Sequence, residues 1–101
     1  MKRDDQIERR AAAALASGGA VDLDELDLAL TDVAAEAVSV RVELLRVNRR
    51  LAAALDGGGR ELETVDRARE LAGRRSELRL RWEHLDGLVR KLRARRDRLA
   101  G

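Results

Sequence analysis

Six of the nine residues in Arg90-Lys91-Leu92-Arg93-Ala94-Arg95-Arg96-Asp97-Arg98 carry a positive charge. Such a run can contact phosphates and would bind a polyanion in a salt-sensitive way. A use within the chain competes with that one. Asp22, Asp24, Glu25 and Asp27 form an acidic stretch that can neutralise the run if the two segments lie antiparallel. Phe and Tyr are absent and Trp82 stands alone, so base stacking has little to work with. No helix-turn-helix or RNA-binding signature appears. Polyanion binding through Arg90, Lys91, Arg93, Arg95, Arg96 and Arg98 is therefore the alternative reading, behind pairing within the chain.

Other reactive groups are scattered. His84 is the single histidine, and no acid stands three or four residues away to build a helical metal site. Cysteine is absent, and Ser17, Thr31, Ser39, Thr64 and Ser76 occur singly. No nucleophile and base can be paired from this set, so no enzyme, cofactor, metal or small-molecule substrate is expected. Gly57-Gly58-Gly59 lacks the preceding strand and the following Gly-Lys-Ser/Thr of a phosphate loop.

Asp56, Glu61 and Glu63 make the region around those glycines acidic. That placement resembles, in architecture alone, the acidic coiled-coil tips of transcription factors that enter the secondary channel of RNA polymerase. Their globular domain has no counterpart here, and acids beside a helix start are ordinary dipole chemistry. The secreted helical hairpins that carry Trp-x-Gly in the turn do not match: the turn reads Asp56-Gly57-Gly58-Gly59, and Trp82 lies far along the next helix.

The elements that must position these groups are helical. The 101 residues are 40% charged and 1% aromatic, with no Pro, the composition of long helices and coiled coils. Net charge is only +2, since 19 acids nearly balance the basic residues. One domain is expected. A short helix is predicted over 4–17, stopped by Gly18-Gly19. Asp22 suits an N-cap, with Glu25 three residues on. A long helix over 23–55 follows, with Leu23, Leu26, Leu30, Val33, Ala37, Val40, Leu44, Val47, Leu51 and Ala54 in unbroken 3-4 spacing. A glycine-rich tip occupies 56–60. A second long helix over 61–99 places Leu71, Leu78, Leu85, Leu92 and Leu99 seven apart, with Ala68, Arg75, Trp82, Val89 and Arg96 between them. Arg75 on this seam can either reach out to Glu36 or Glu43 or mark where another chain enters.

The charges select an antiparallel pairing in which residue i of one long helix lies beside roughly residue 116 − i of the other. The fold class expected is thus all-α: a long antiparallel coiled-coil hairpin plus a short N-terminal helix. The chain has no signal-peptide core and no membrane-length apolar run, so a cytoplasmic protein without a membrane partner is expected.

The hairpin seam does not use all the apolar residues. Leu28, Ala35, Val38, Val42, Leu45 and Ala52 form a second stripe on the first long helix. Folding back, the short helix could cover Leu28 and Ala35 but is too short to reach Val42 and Leu45; docking on its own chain and swapping between chains both stay open. On the second long helix Gly73, Leu80, Gly87 and Ala94 repeat every seven residues, with Leu88 nearby. A helix apolar on two sides is normally covered on two sides. The expected function is a non-enzymatic helical interaction protein: an adaptor, assembly factor or structural subunit. Its partner surface would comprise Leu28, Ala35, Val38, Val42, Leu45, Leu80 and Gly87, most simply in a homodimeric four-helix bundle. A chaperone-like clamp on another protein's helix is a further alternative.

Overall fold

Asp22 fixes where the first long helix begins. Its carboxylate accepts a hydrogen bond from the Asp24 backbone N–H at 3.3 Å. Its carbonyl accepts the first intrahelical bond, from the Leu26 N–H at 3.1 Å. This is an N-cap, which satisfies one of the donors a helix start leaves open. In the computed structural model the chain is helical throughout the described residues, which are 2–16, 22–56 and 62–100, with side chains from residue 6 onward.

Three helices result: α1 (Lys2–Ala16), α2 (Leu23–Asp56) and α3 (Leu62–Ala100). The bounds differ from the expected ones by two residues or fewer, the usual fraying of helix ends. The glycine joint at residues 17–21 and the tip at 57–61, including Glu61, lie outside the described residues. Helices α2 and α3 run antiparallel: Asp27 near the start of α2 pairs with Arg96 near the end of α3 at 3.5 Å. Further along α2, Glu43 accepts a hydrogen bond from Arg74.

The chain divides into two units. The first comprises residues 1–38 and 83–101, the second residues 39–82. The first unit is a three-helix arrangement. Leu26, Val33, Leu85 and Leu92 are fully buried within it, beside Ala11 and Ala14 of α1, Ala29, Leu30, Ala37, Leu88 and Val89. Alanines at α1 positions 11 to 14 let that helix approach closely. It settles between α2 and α3: Arg10, Ala13 and Ala14 face Leu28, Ala29 and Asp32, and Glu8, Arg9 and Ala12 face His84 and Leu88.

α1 reaches Leu28, which lines a groove with Ala13 and Ala14 yet stays 60% exposed, and it leaves Ala35 exposed. Leu88, expected beside an outward face, is buried instead. The helix meets α2 on one side, at Ala29, and α3 on the other, at Leu88.

The second unit is two-helical. Val40, Val47 and Leu51 of α2 and Leu78 of α3 are buried there, and Leu44, Ala54, Ala68 and Leu71 are half-buried. The seam positions are thus occupied as their spacing implies, but less deeply. Trp82 is half-buried, with the Arg41 guanidinium 5.9 Å from its ring centroid, within cation–π range. The seam fails at its outer ends. Leu23, Leu62, Val65 and Leu99 are exposed, since among the described residues no further layer covers their last apolar atoms.

Candidate partner-binding surface

The α2 positions outside the seam follow from helical geometry. Residues 28, 35 and 42 recur every seven, as do 38, 45 and 52, and the two rows alternate at spacings of three and four. They form one narrow stripe, on the side of α2 turned away from the seam. The burial agrees: Leu28, Ala35, Val38, Val42, Leu45 and Ala52 are all exposed. Val38 and Leu45 expose more than half of their surface. Isolated exposed apolar residues are ordinary, whereas contiguous exposed apolar patches often mark interaction sites in proteins.

Grooves flank this stripe in each unit. In the first, Leu28 and Asp32 line a largely apolar groove of about 480 Å³ with Arg10, Ala13, Ala14, Glu25 and Ala29. In the second, Val42, Arg46 and Ser39 line one of about 370 Å³ with Glu43, Val47, Arg50, Leu71 and Arg74. Along α2, Asp24, Glu25, Asp27 and Asp32 lie in the first third and Arg46, Arg49 and Arg50 near the end, with Glu36, Arg41 and Glu43 between them and Asp56 as the last residue. Asp32 has an in-chain partner, Arg10, at 3.9 Å. Arg46, Arg49 and Arg50 are exposed and make no ion pair among the described residues. Arg50 shares a groove with Asp66 and Glu70, without reaching either within salt-bridge distance.

On α3, Leu80 is 69% exposed. Gly87 is half-buried, and a Cβ built there, or at Gly73, would meet nothing within 4 Å. Neither glycine is therefore required for close packing within this chain.

The basic run is partly engaged. Arg90 pairs with Asp86 at 2.9 Å, one helical turn back. Arg96 lies between Asp27 and Asp97. Arg95 is half-buried, and its Nε is enclosed without a hydrogen-bond partner. Lys91, Arg93 and Arg98 are exposed. Arg96 thus realises the expected pairing with the acidic start of α2, through Asp27 alone of the four acids.

Two contacts escaped the sequence reading. The residue that reaches Glu43 is Arg74, not the seam residue Arg75. Its hydrogen bond to Glu43 holds the guanidinium above its ordinary range, with the nearby Glu77 charge adding to the effect. The other contact is His84, whose Nε2 lies 3.8 Å from Glu8 of α1. Only the docked position of α1 creates it, and local spacing carries no trace of it. Among the described residues no group of three His, Cys, Asp or Glu could hold a metal ion. No described helix is long and apolar enough to cross a membrane. No family profile, curated protein or solved structure matches the chain.

Proposed function

We propose that this protein is a non-enzymatic helical interaction protein, an adaptor, assembly factor or structural subunit that works by helix packing and self-association. One observation carries the reading: the exposed apolar stripe Leu28, Ala35, Val38, Val42, Leu45 along a helix whose opposite face is already buried. Water contact with such a row is unfavourable, at about 25 cal/mol per Å² of apolar surface. A second copy covers it and completes a homodimeric four-helix core. Leu80 and Gly87 extend the same logic to α3.

Sedimentation velocity tests this reading. The wild-type chain sediments as a dimer at high micromolar concentration, and Val42→Asp shifts it to monomer while helicity is retained. A wild-type monomer at that concentration, with a stripe that tolerates Val42→Asp in every binding assay, would remove it.

The exposed cations Lys91, Arg93 and Arg98 favour one rival, a polyanion-binding module. That rival requires nucleic-acid retardation at low salt that disappears by about 200 mM. A chaperone-like clamp would instead yield a complex with one copy of this chain and another protein's helix.

A further inference from the structure

We infer that the second copy packs along α2 in an antiparallel sense, about a twofold axis near residue 40. The register presupposes the self-association proposed above and adds the orientation of the two copies. It comes from the stripe itself, which is palindromic in shape. Position 28 pairs with 52, 35 with 45, and 38 with 42, and each pair sums to 80. In that register Leu28 meets Ala52 of the other copy, Leu45 meets Ala35, and Val38 meets Val42. Large residues face small ones and the middle pair is matched, so both rows fill without collision or void. A parallel pairing sets Leu28 on Leu28 and Ala35 on Ala35, which leaves one layer overfilled and another empty.

Charge selects the same orientation. The stripe is flanked on one side by Glu25, Asp32, Ser39, Arg46 and Ala53, seven residues apart. In the antiparallel register these flank positions face each other in pairs that sum to 78. Asp32 then meets Arg46 of the other copy, twice by symmetry, and Ser39 meets its own image at the axis. Arg49, which interrupts the stripe, falls opposite Thr31, next to Asp32. A parallel pairing would set Asp32 beside Asp27 and Arg46 beside Arg41 of the other copy, like charges that oppose docking. On the opposite flank Arg41 meets its own image, but its head group is drawn back over the Trp82 ring. Each helix also brings its groove: Asp32 lines the one in the first unit and Arg46 the one in the second. The complementary charges therefore stand at groove edges open to an incoming helix.

The chain contains no cysteine, so single introduced thiols report position cleanly. Nitroxide labels are placed at Ser39→Cys and, in a separate sample, at Ala53→Cys, both exposed and off the stripe. The antiparallel dimer gives a short interlabel distance at position 39. At position 53 it gives about 40 Å, since 2 × (53 − 39) = 28 residues at a rise of about 1.5 Å separate the labels along the axis. A dimer with equal short distances at both positions is parallel and overturns the register. A dimer with long distances at both uses another face and also overturns it. A chain monomeric by mass, with no interlabel coupling, rejects the self-association reading itself.

A charge swap supplies the second arm. Arg46→Asp weakens the dimer about three- to tenfold at low salt. Adding Asp32→Arg restores it to within about twofold of wild type, even though that change also forgoes the weak in-chain contact to Arg10. Failure of the second change to restore dimerisation contradicts the assigned pairing.

Discussion

The two halves of this chain solve the same packing problem with different numbers of helices. In the unit formed by residues 1–38 and 83–101, α1 lies against α2 and α3, and Leu26, Val33, Leu85 and Leu92 lose all contact with water. In the unit formed by residues 39–82 only two helices meet. Its best-buried large residues, Leu78, Val40 and Val47, each keep a few per cent of their surface in water. Two helices share one seam, and a seam alone leaves three-quarters of each helix open. A third element turns a seam into a core. The difference leaves the second unit with the shallower core, and α1, a 15-residue helix with a thin apolar face, deepens the first.

Four perturbations should break or sharpen that contrast, in decreasing order of effect. The largest is Leu85→Ala, which leaves a cavity where α1, α2 and α3 converge. Such deletions cost about 2–5 kcal/mol, and urea unfolding should place this one in the upper half of that range. Leu78→Ala in the two-helix unit should fall near the bottom, because its surroundings can collapse or admit water. Equal losses would mean that the units are equally packed. Next, Val42→Asp should raise the dimer dissociation constant at least thirtyfold, read by sedimentation, while thermal unfolding of the dilute monomer barely changes. Third, Asp22→Ala removes the cap that starts α2 and should cost about 1 kcal/mol, with reduced helicity confined to the first unit. The smallest effect belongs to Arg74→Met in the second unit. Its ion pair with Glu43 is exposed, and such pairs contribute about 0–1 kcal/mol. The raised guanidinium pKa means this contribution is present at neutral pH and, on the alkaline side, is lost only as pH rises far above the neutral range. The difference between Arg74→Met and wild type should therefore not vary between pH 7 and pH 9.

Much of this architecture is legible in the residues. The 3-4 spacing from Leu26 to Ala54 and the sevenfold leucines from Leu71 to Leu92 mark the buried side of each long helix, because helical period alone decides which positions share a face. Asp22 announces its cap by type and place. The outward stripe from Leu28 to Leu45 was visible for the same reason as the seam. The seat of α1 was not legible. It depends on contacts to both long helices, at Ala29 and at Leu88, which come together only after the hairpin has formed. The Glu8–His84 contact was hidden on the same account. Arg74 rather than Arg75 reaches Glu43 because a flank position points along the hairpin surface, where a carboxylate on the neighbouring helix is within reach of a long side chain. Periodicity assigns faces, but it does not choose among adjacent arginines.

Hydrogen exchange measured at two protein concentrations tests the central claim most directly. At low micromolar concentration, amides in residues 39–56 and 62–82 should exchange markedly faster than those in residues 26–37 and 84–93, since local opening follows the depth of packing. At high micromolar concentration the slow set should change little, and the fast set should gain protection as the second copy covers α2. Equal protection of both sets at the lowest concentration, unchanged on raising it, would contradict the account.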